Sequence, residues 1–335
     1  MNRRGLEVRV AARPDPDLTP DCFEIVEVEV PQPGEGELLV RNDWMALSAV
    51  MGNLMGIGAE LPMPRYRLGE ALWGAAVGTV LRSRSFRFSP GDLVRHRRGW
   101  REYALGEDTE FTRVDRRLLP GPEYHLSQGP TAWRGMAEIA GVRPEDTVFV
   151  SGAAGGVGSL AGQIARRLGA GRVIGSAGSP AKIHFLLDEL GYDAALDHHD
   201  GPIVDRLRQL APAGIDVFFD NVGGEQFEAA VEVAARGARF ALCGALAGQI
   251  GGGDGGRPRL DLIAAGSKEL VLRAFMTRPG EDWDARFAAW LREGSVVFPH
   301  ATVSGLAAAP RALIDLRGGS FAGGVLVRLS DEAAG

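Results

Sequence analysis

The sequence predicts an α/β chain whose larger part is a parallel sheet wound with helices on both faces. Three observations predict it. Between about Leu126 and Cys243, short apolar runs alternate with stretches of helical periodicity. Up to about Leu119, by contrast, the runs are short strands separated by proline- and glycine-rich turns. At the head of the alternating part stands Val148 to Ser159, V-F-V-S-G-A-A-G-G-V-G-S, which reads as strand, tight turn and helix start.

The elements follow in order. Phe23 to Val30 alternates Phe23, Val26, Val28 and Val30 with Glu24, Glu27 and Glu29, the pattern of a half-buried strand. Pro31 to Glu37 is a turn, and Leu38 to Arg41 a second strand. Ala75 to Leu81 and Asp92 to Val94 add two more, with Ser89-Pro90-Gly91-Asp92 turning between them. Thr131 to Ala140 is helical in texture, and Val148 to Val150 is a buried strand. Val157, Leu160, Ala161, Ile164, Ala165 and Leu168 then fall at helical spacing. After the strand Arg172 to Gly175, Ser179-Pro180 starts a helix, serine as N-cap and proline at the first helical position. It runs to about Leu190 and stops at Gly191. Strands at Ala194 to Asp197, Ile215 to Asp220 and Arg239 to Cys243 alternate with helices at Ile203 to Leu210 and Gln226 to Ala235. Gly324 to Leu329 is a last strand. Gly251-Gly252-Gly253-Asp254-Gly255-Gly256 reads either as a plain loop or as a lid over a site.

With 335 residues the chain has room for two domains, and 45% hydrophobic with 24% charged residues is a soluble globular composition. A net charge of −6 speaks against binding nucleic acid or acidic membranes. No apolar run is long enough to span a bilayer, and the N-terminus lacks the apolar core of a signal peptide, so a cytoplasmic location is expected. Cys22 and Cys243 are the only cysteines and are expected to be reduced.

The glycine turn points to a dinucleotide. Small residues allow close backbone approach to a pyrophosphate, and N–H groups at a helix start favour its charge. The strict G-x-G-x-x-G is not met: Gly152, Gly155 and Gly158 give G-x-x-G-x-x-G. An NAD site usually places a carboxylate after the second strand to bind the ribose diol. Here that strand ends Ile174-Gly175-Ser176-Ala177-Gly178-Ser179, without one. Ser179 and Lys182 suit a 2′-phosphate and hence NADPH; the plainer alternative is a helix cap and a solvated lysine.

The motifs carry a resemblance. Gly99-Trp100-Arg101-Glu102-Tyr103, Gly129-Pro130-Thr131-Ala132-Trp133, Ala153 to Ser159, Gly162-Gln163-Ile164-Ala165, Phe219-Asp220-Asn221-Val222-Gly223-Gly224-Glu225 and Cys243-Gly244-Ala245 resemble the zinc-independent medium-chain reductases of the prostaglandin reductase type, also called leukotriene B4 dehydrogenases or double-bond reductases. The resemblance covers nearly the whole chain. It implies a GroES-like catalytic domain, residues 1–122 with 300–335, and an NADP-binding Rossmann domain, residues 123–299. It implies NADPH-dependent reduction of the carbon–carbon double bond of a small-molecule unsaturated carbonyl compound, and a homodimer. Carried over, Gly155, Gly156, Val157 and Gly158 hold the pyrophosphate. Ser179, Lys182 and His198 meet the 2′-phosphate, His198 standing where the family usually has tyrosine. Asn221, Cys243, Gly244, Ala245, Phe275 and Met276 line the cofactor, with Thr131 near the nicotinamide and Ser320 in the C-terminal segment.

The chain also departs from the family. The family tyrosine after the C-G-A string is Gln249 here; the usual D-P-Y-M-R is Ser48-Ala49-Val50-Met51-Gly52; the usual N-x-G-K is Ser320-Phe321-Ala322-Gly323-Gly324. An enolate oxygen needs a donor. Gln249 and Tyr66 are the side-chain candidates, beside the nicotinamide ribose hydroxyl and backbone N–H groups. Tyr66 has packing as its other reading. The lost tyrosine also leaves room for an NADPH-binding protein with a non-redox role, as sensor or cyclase. Zinc ligand sets are absent: two cysteines cannot form a four-cysteine site, and His198 and His199 point oppositely if their segment is extended. Arg95 to Arg98 with Arg101 reads as an anion-binding patch or a solvated strand end, and Trp73 and Trp100 as pocket walls or core. Tyr103 reads as part of a packed strand.

Overall fold

The computed structural model describes residues 3–57, 61, 63–247, 258–277 and 283–330. It divides into two compact units: residues 1–127, 300–321 and 325–335, and residues 128–299 with 322–324.

The first unit is antiparallel. β1 (Arg4–Val10) and β2 (Phe23–Glu29) form a ribbon, Arg4 opposite Glu29 and Val10 opposite Phe23. β1 was not among the expected strands, although Leu6, Val8 and Val10 alternate with Glu7 and Arg9 as a half-buried strand does. β3 (Glu37–Leu47) runs well past Arg41, and residues 42–47 are all buried. Their polar members are tied down: Asn42 donates to the Arg98 and Arg101 carbonyls, and Asp43 accepts from Thr79 Oγ1 at 2.7 Å. α1 (Val50–Met55), β4 (Ala76–Ser83), β5 (Leu93–His96), β6 (Tyr103–Glu107) and β7 (Thr112–Arg113) follow.

The second unit is the wound sheet. α2 (Gly129–Trp133) widens into a π-helical turn over Arg134–Ala140, and both together fill the predicted helix. Then come β8 (Thr147–Val150), α3 (Gly158–Arg167), β9 (Arg172–Ala177), α4 (Pro180–His184), β10 (Ala194–Asp197), α5 (Ile203–Leu210), β11 (Ile215–Asp220), α6 (Gly224–Val233), β12 (Ala234–Leu242), α7 (Leu262–Ser267), β13 (Val271–Ala274) and α8 (Trp283–Arg292). The strand order is β10-β9-β8-β11-β12-β13 and every pairing is parallel. Phe149 stacks on Phe218 at 5.2 Å between ring centres, and Phe240 meets Phe218 edge to face. The boundary between α6 and β12 differs from expectation. Ala234 and Ala235 belong to β12, not to the preceding helix, since Ala234 pairs with Ile215 and pairing outweighs alanine's helix preference.

The chain then returns to the first unit with β14 (His300–Ser304), the helix α9 (Ala309–Arg317) and β15 (Gly324–Arg328). β15 lies antiparallel on β3, Val325 opposite Leu47, completing a seven-stranded sheet. Among the described residues no helix is long and apolar enough to cross a membrane.

Candidate cofactor site

In the second unit, the nominated residues gather at one edge of the sheet. In a wound parallel sheet, ligands bind outside the carboxyl ends of the strands, where the strand order reverses. That reversal falls between β8 and β11. The glycine turn follows β8, Ser179 follows β9, His198 follows β10, Asn221 follows β11, Cys243 to Ala245 follow β12, and Phe275-Met276 follow β13.

The glycine turn is locked from below. Ala153 N–H donates to the Ser176 carbonyl at 2.8 Å, and Gly152 N–H to Ser176 Oγ at 3.1 Å. Gly152 has φ +57, which a β-carbon strains. Gly158 has no room for one: it would lie 2.4 Å from the Gly152 carbonyl oxygen and 2.7 Å from Ala153 Cα. Tyr192, fully buried, donates from its hydroxyl to the Gly158 carbonyl at 2.8 Å. Among the described residues nothing accepts from the N–H groups of Val157 or Gly158, while Gly155 bridges to Gly323. Val157 and Gly158 form the N-terminus of a ten-residue helix. Unpaired donors at the positive end of a helix dipole are the arrangement a pyrophosphate needs. Beside them, Gln128 Oε1 is buried without a partner among the described residues. A β-carbon on Gly156 would come within 2.9 Å of it. The residues present therefore fit a dinucleotide.

A second network joins β8 to β11. Ser151 Oγ donates to Asp220 at 2.7 Å and accepts from Asn221 N–H at 2.8 Å. Asp220 also accepts from the Val222 and Gly223 N–H groups, while burial raises its pKa. The Asn221 amide donates to the Ser151 carbonyl, which turns this side chain back onto the turn. Cys243 and Gly244 donate their N–H groups to the Asp220 carbonyl, which brings the C-G-A string alongside Asn221. Burial pushes the Cys243 thiol up to about 12, so it stays protonated and unreactive. Ser151, Asp220, Ser176 and Tyr192 were absent from the predicted site, although Ser151, Ser176 and Asp220 each lie in a string the sequence reading singled out; Tyr192 had no such signal.

Thr131 comes to the β13 end through a 2.7 Å bond to Thr277 Oγ1, and Arg134 donates to the Met276 carbonyl. Arg134, Ala274, Phe275 and Met276 line a cavity of about 340 Å³.

At the other end, Ser179 is extended, and its Oγ accepts from Lys182 N–H at 3.4 Å as the predicted N-cap. No carboxylate occupies positions 174–179. Burial lowers the pKa of Lys182, and burial likewise lowers that of His198. His198 Nδ1 lies 2.7 Å from the Ala177 carbonyl. The expected opposition of His198 and His199 is corrected: they lie in a turn after β10, and their rings are 4.1 Å apart.

Other nominated residues lie elsewhere. Gln249 and the Gly251 to Gly256 patch fall outside the described residues. Ser320 is in the first unit, its N–H bonded to the Asp315 carbonyl past the end of α9. Tyr66, a candidate donor to substrate, is buried at 2% exposure and donates its hydroxyl to the Trp73 carbonyl at 2.7 Å. Its hydrogen is committed and burial raises its pKa, so the packing reading replaces the catalytic one. Trp100 is wholly buried core. The basic run is tied into its own unit: Arg97 stacks on Trp73 at 4.6 Å, Arg98 pairs with Glu110, and Arg101 donates to the Leu72 carbonyl.

Comparison with known proteins agrees with this geometry. Residues 7–114 match the family model of the N-terminal domain of oxidoreductases, and residues 156–291 that of zinc-binding dehydrogenases. Prostaglandin reductase 1 of Bos taurus is 30% identical over 326 residues, 91% of this chain and 93% of that one. The NADPH-dependent curcumin reductase of Escherichia coli K12 is 28% identical over 343 residues, 99% and 98% of the two chains. The structure of CurA from Vibrio vulnificus with NADPH superposes with a TM-score of 0.89 at 29% identity, covering 97% of this chain and 99% of that chain.

Proposed function

This chain belongs to the zinc-independent medium-chain double-bond reductases, and on that premise we propose that it reduces the carbon–carbon double bond of a small α,β-unsaturated carbonyl compound: an enone, enal, enoyl thioester or quinone. The enzyme is an NADP-dependent oxidoreductase acting on carbon–carbon double bonds. The observation that carries the reading is the carboxyl edge of the wound sheet, with the unpaired Val157 and Gly158 N–H groups at the start of α3 and no carboxylate after β9.

The bound cofactor supplies the hydride, which goes to the β-carbon of the substrate. The chain's own residues hold and orient. Gly155 to Gly158 receive the pyrophosphate on backbone donors. Ser179, Lys182 and His198 receive the 2′-phosphate, where a carboxylate would repel it. Asn221, the Cys243 to Ala245 backbone, Phe275, Met276 and Thr131 line the nicotinamide half. Charge then develops on the substrate's carbonyl oxygen, and a positioned donor there is worth about 3 kcal/mol in the transition state. With Tyr66 committed elsewhere, the candidates for that donor are the Gln249 amide, the nicotinamide ribose hydroxyl and backbone N–H groups. Residues 1–122 with 300–335 act as the catalytic domain and residues 123–299 as the NADP domain.

We also infer a homodimer. β13 ends the strand order, and Val271 on it is exposed, as are Leu262 and Ile263 on α7. An unpaired edge beside exposed apolar side chains is what a second copy would cover.

The test is loss of NADPH absorbance against a panel of enones, enals and quinones. Turnover supports the reading. Tight NADPH binding with no turnover on any member would leave the non-redox role, sensor or cyclase, in its place.

A further inference from the structure

The turn after β10 carries a second kind of chemistry. Asp197, His198 and His199 each present one possible ligand atom within 4.8 Å of the other two. Their arrangement is more specific than proximity. His198 Nδ1 is engaged with the Ala177 carbonyl at 2.7 Å, and His199 Nδ1 with the Asp197 carboxylate at 3.1 Å. With both Nδ1 atoms acting as donors, each ring keeps its lone pair on Nε2. A metal-binding histidine has this signature: one ring nitrogen donates to a carbonyl or carboxylate, which fixes the tautomer and leaves the other for the ion.

The pair is also held in place. The rings lie 4.1 Å apart and 40° from parallel, and the Cε1 atoms of both face Gly178. Asp197, at the end of β10, accepts from the His199 backbone N–H at 3.0 Å, and Arg206 donates to its carbonyl at 2.6 Å. The orienting carboxylate therefore sits on sheet, not on a loop. His199 is mostly exposed, which gives an ion access from solvent. The surrounding charges offset. Lys182 and Arg206 are the nearby cations, and Asp197 and Asp200 the nearby carboxylates. The imidazoles therefore decide the affinity.

We propose that His198 and His199 bind one borderline divalent cation, of the Zn²⁺, Ni²⁺ or Cu²⁺ class, through their Nε2 atoms, with Asp197 as the positioning carboxylate. Imidazole nitrogen selects this class over Mg²⁺ and Ca²⁺, which prefer oxygen. The site shares His198 with the 2′-phosphate assignment, so the metal is tested on chain free of nucleotide.

The test uses the full chain, stripped with chelator and free of nucleotide, titrated with Zn²⁺ in a calorimeter. The expected result is one Zn²⁺ per chain, bound about tenfold or more weakly by both His198→Gln and His199→Gln, with Mg²⁺ giving no heat. His199→Gln changes an exposed side chain, and unchanged far-ultraviolet circular dichroism verifies its fold. Absence of Zn²⁺ binding to the unaltered chain would overturn the site. So would binding that survives both substitutions, since the donors would then lie elsewhere.

Discussion

The two units use polar side chains in opposite ways. In the antiparallel unit, the residues that looked chemical are spent on structure: the Tyr66 hydroxyl on the Trp73 carbonyl, Arg101 on Leu72, and His96 Nδ1 accepting from Arg98 N–H. In the parallel unit, buried polar groups such as Ser151, Ser176 and Asp220 brace a turn whose own backbone donors stay unpaired. Buried polar groups must find partners, so a side chain that has found one is not free for a ligand. The unpaired backbone donors at the start of α3 mark the candidate site.

This contrast can be broken at four places. The largest effect belongs to His96. Burial, with Arg98 and Arg101 nearby, pushes its pKa down to about 3. An unfolded histidine titrates near 6.5. The folded value is the lower one, so its contribution is complete above about pH 6.5 and drains away as pH falls toward 3, on the order of 3 kcal/mol by about pH 4. Urea midpoints compared across that range should fall more steeply for the wild type than for His96→Phe; parallel curves would show that His96 is not held neutral.

Gly158→Ala comes next. The new methyl meets backbone, not a movable side chain, which costs about 2 kcal/mol and distorts the donors. Denaturation and NADPH titration should both register it. An unchanged nucleotide affinity would remove the turn from the site.

Lys182→Ala should weaken NADPH by about tenfold while leaving NADH nearly unaffected, as expected for a charge-assisted phosphate contact. Fluorescence titration with both nucleotides decides; equal losses would place the phosphate elsewhere.

Tyr66→Phe should cost about 1 kcal/mol of stability, one hydrogen bond, and leave turnover within about twofold. A collapse in kcat without a stability change would restore its catalytic reading.

The parallel unit was readable because its signals are local. Ser179-Pro180 caps its helix as written, and Ile203 to Leu210 and Ile215 to Asp220 have the bounds their periodicity indicates. β1 carries a local signal as well, Leu6, Val8 and Val10 alternating with Glu7 and Arg9, though it was not among the expected strands; pairing with β2 sets its register. The glycine turn could be named from its spacing. The network of Ser151, Asp220 and Asn221 beneath it joins residues about seventy apart, and no local pattern reports such a contact.

By itself, then, the sequence determined the alternation of strand and helix, the glycine turn, and the absence of a carboxylate after the second parallel strand. Each is a matter of residue type at short spacing. Tertiary structure decided which polar atoms were consumed: that Tyr66 is packed, that Val157 and Gly158 keep their donors, and that His198 and His199 share one side of a turn. Hydrogen-bond partnership depends on groups far apart in the chain, and only folding brings them within reach.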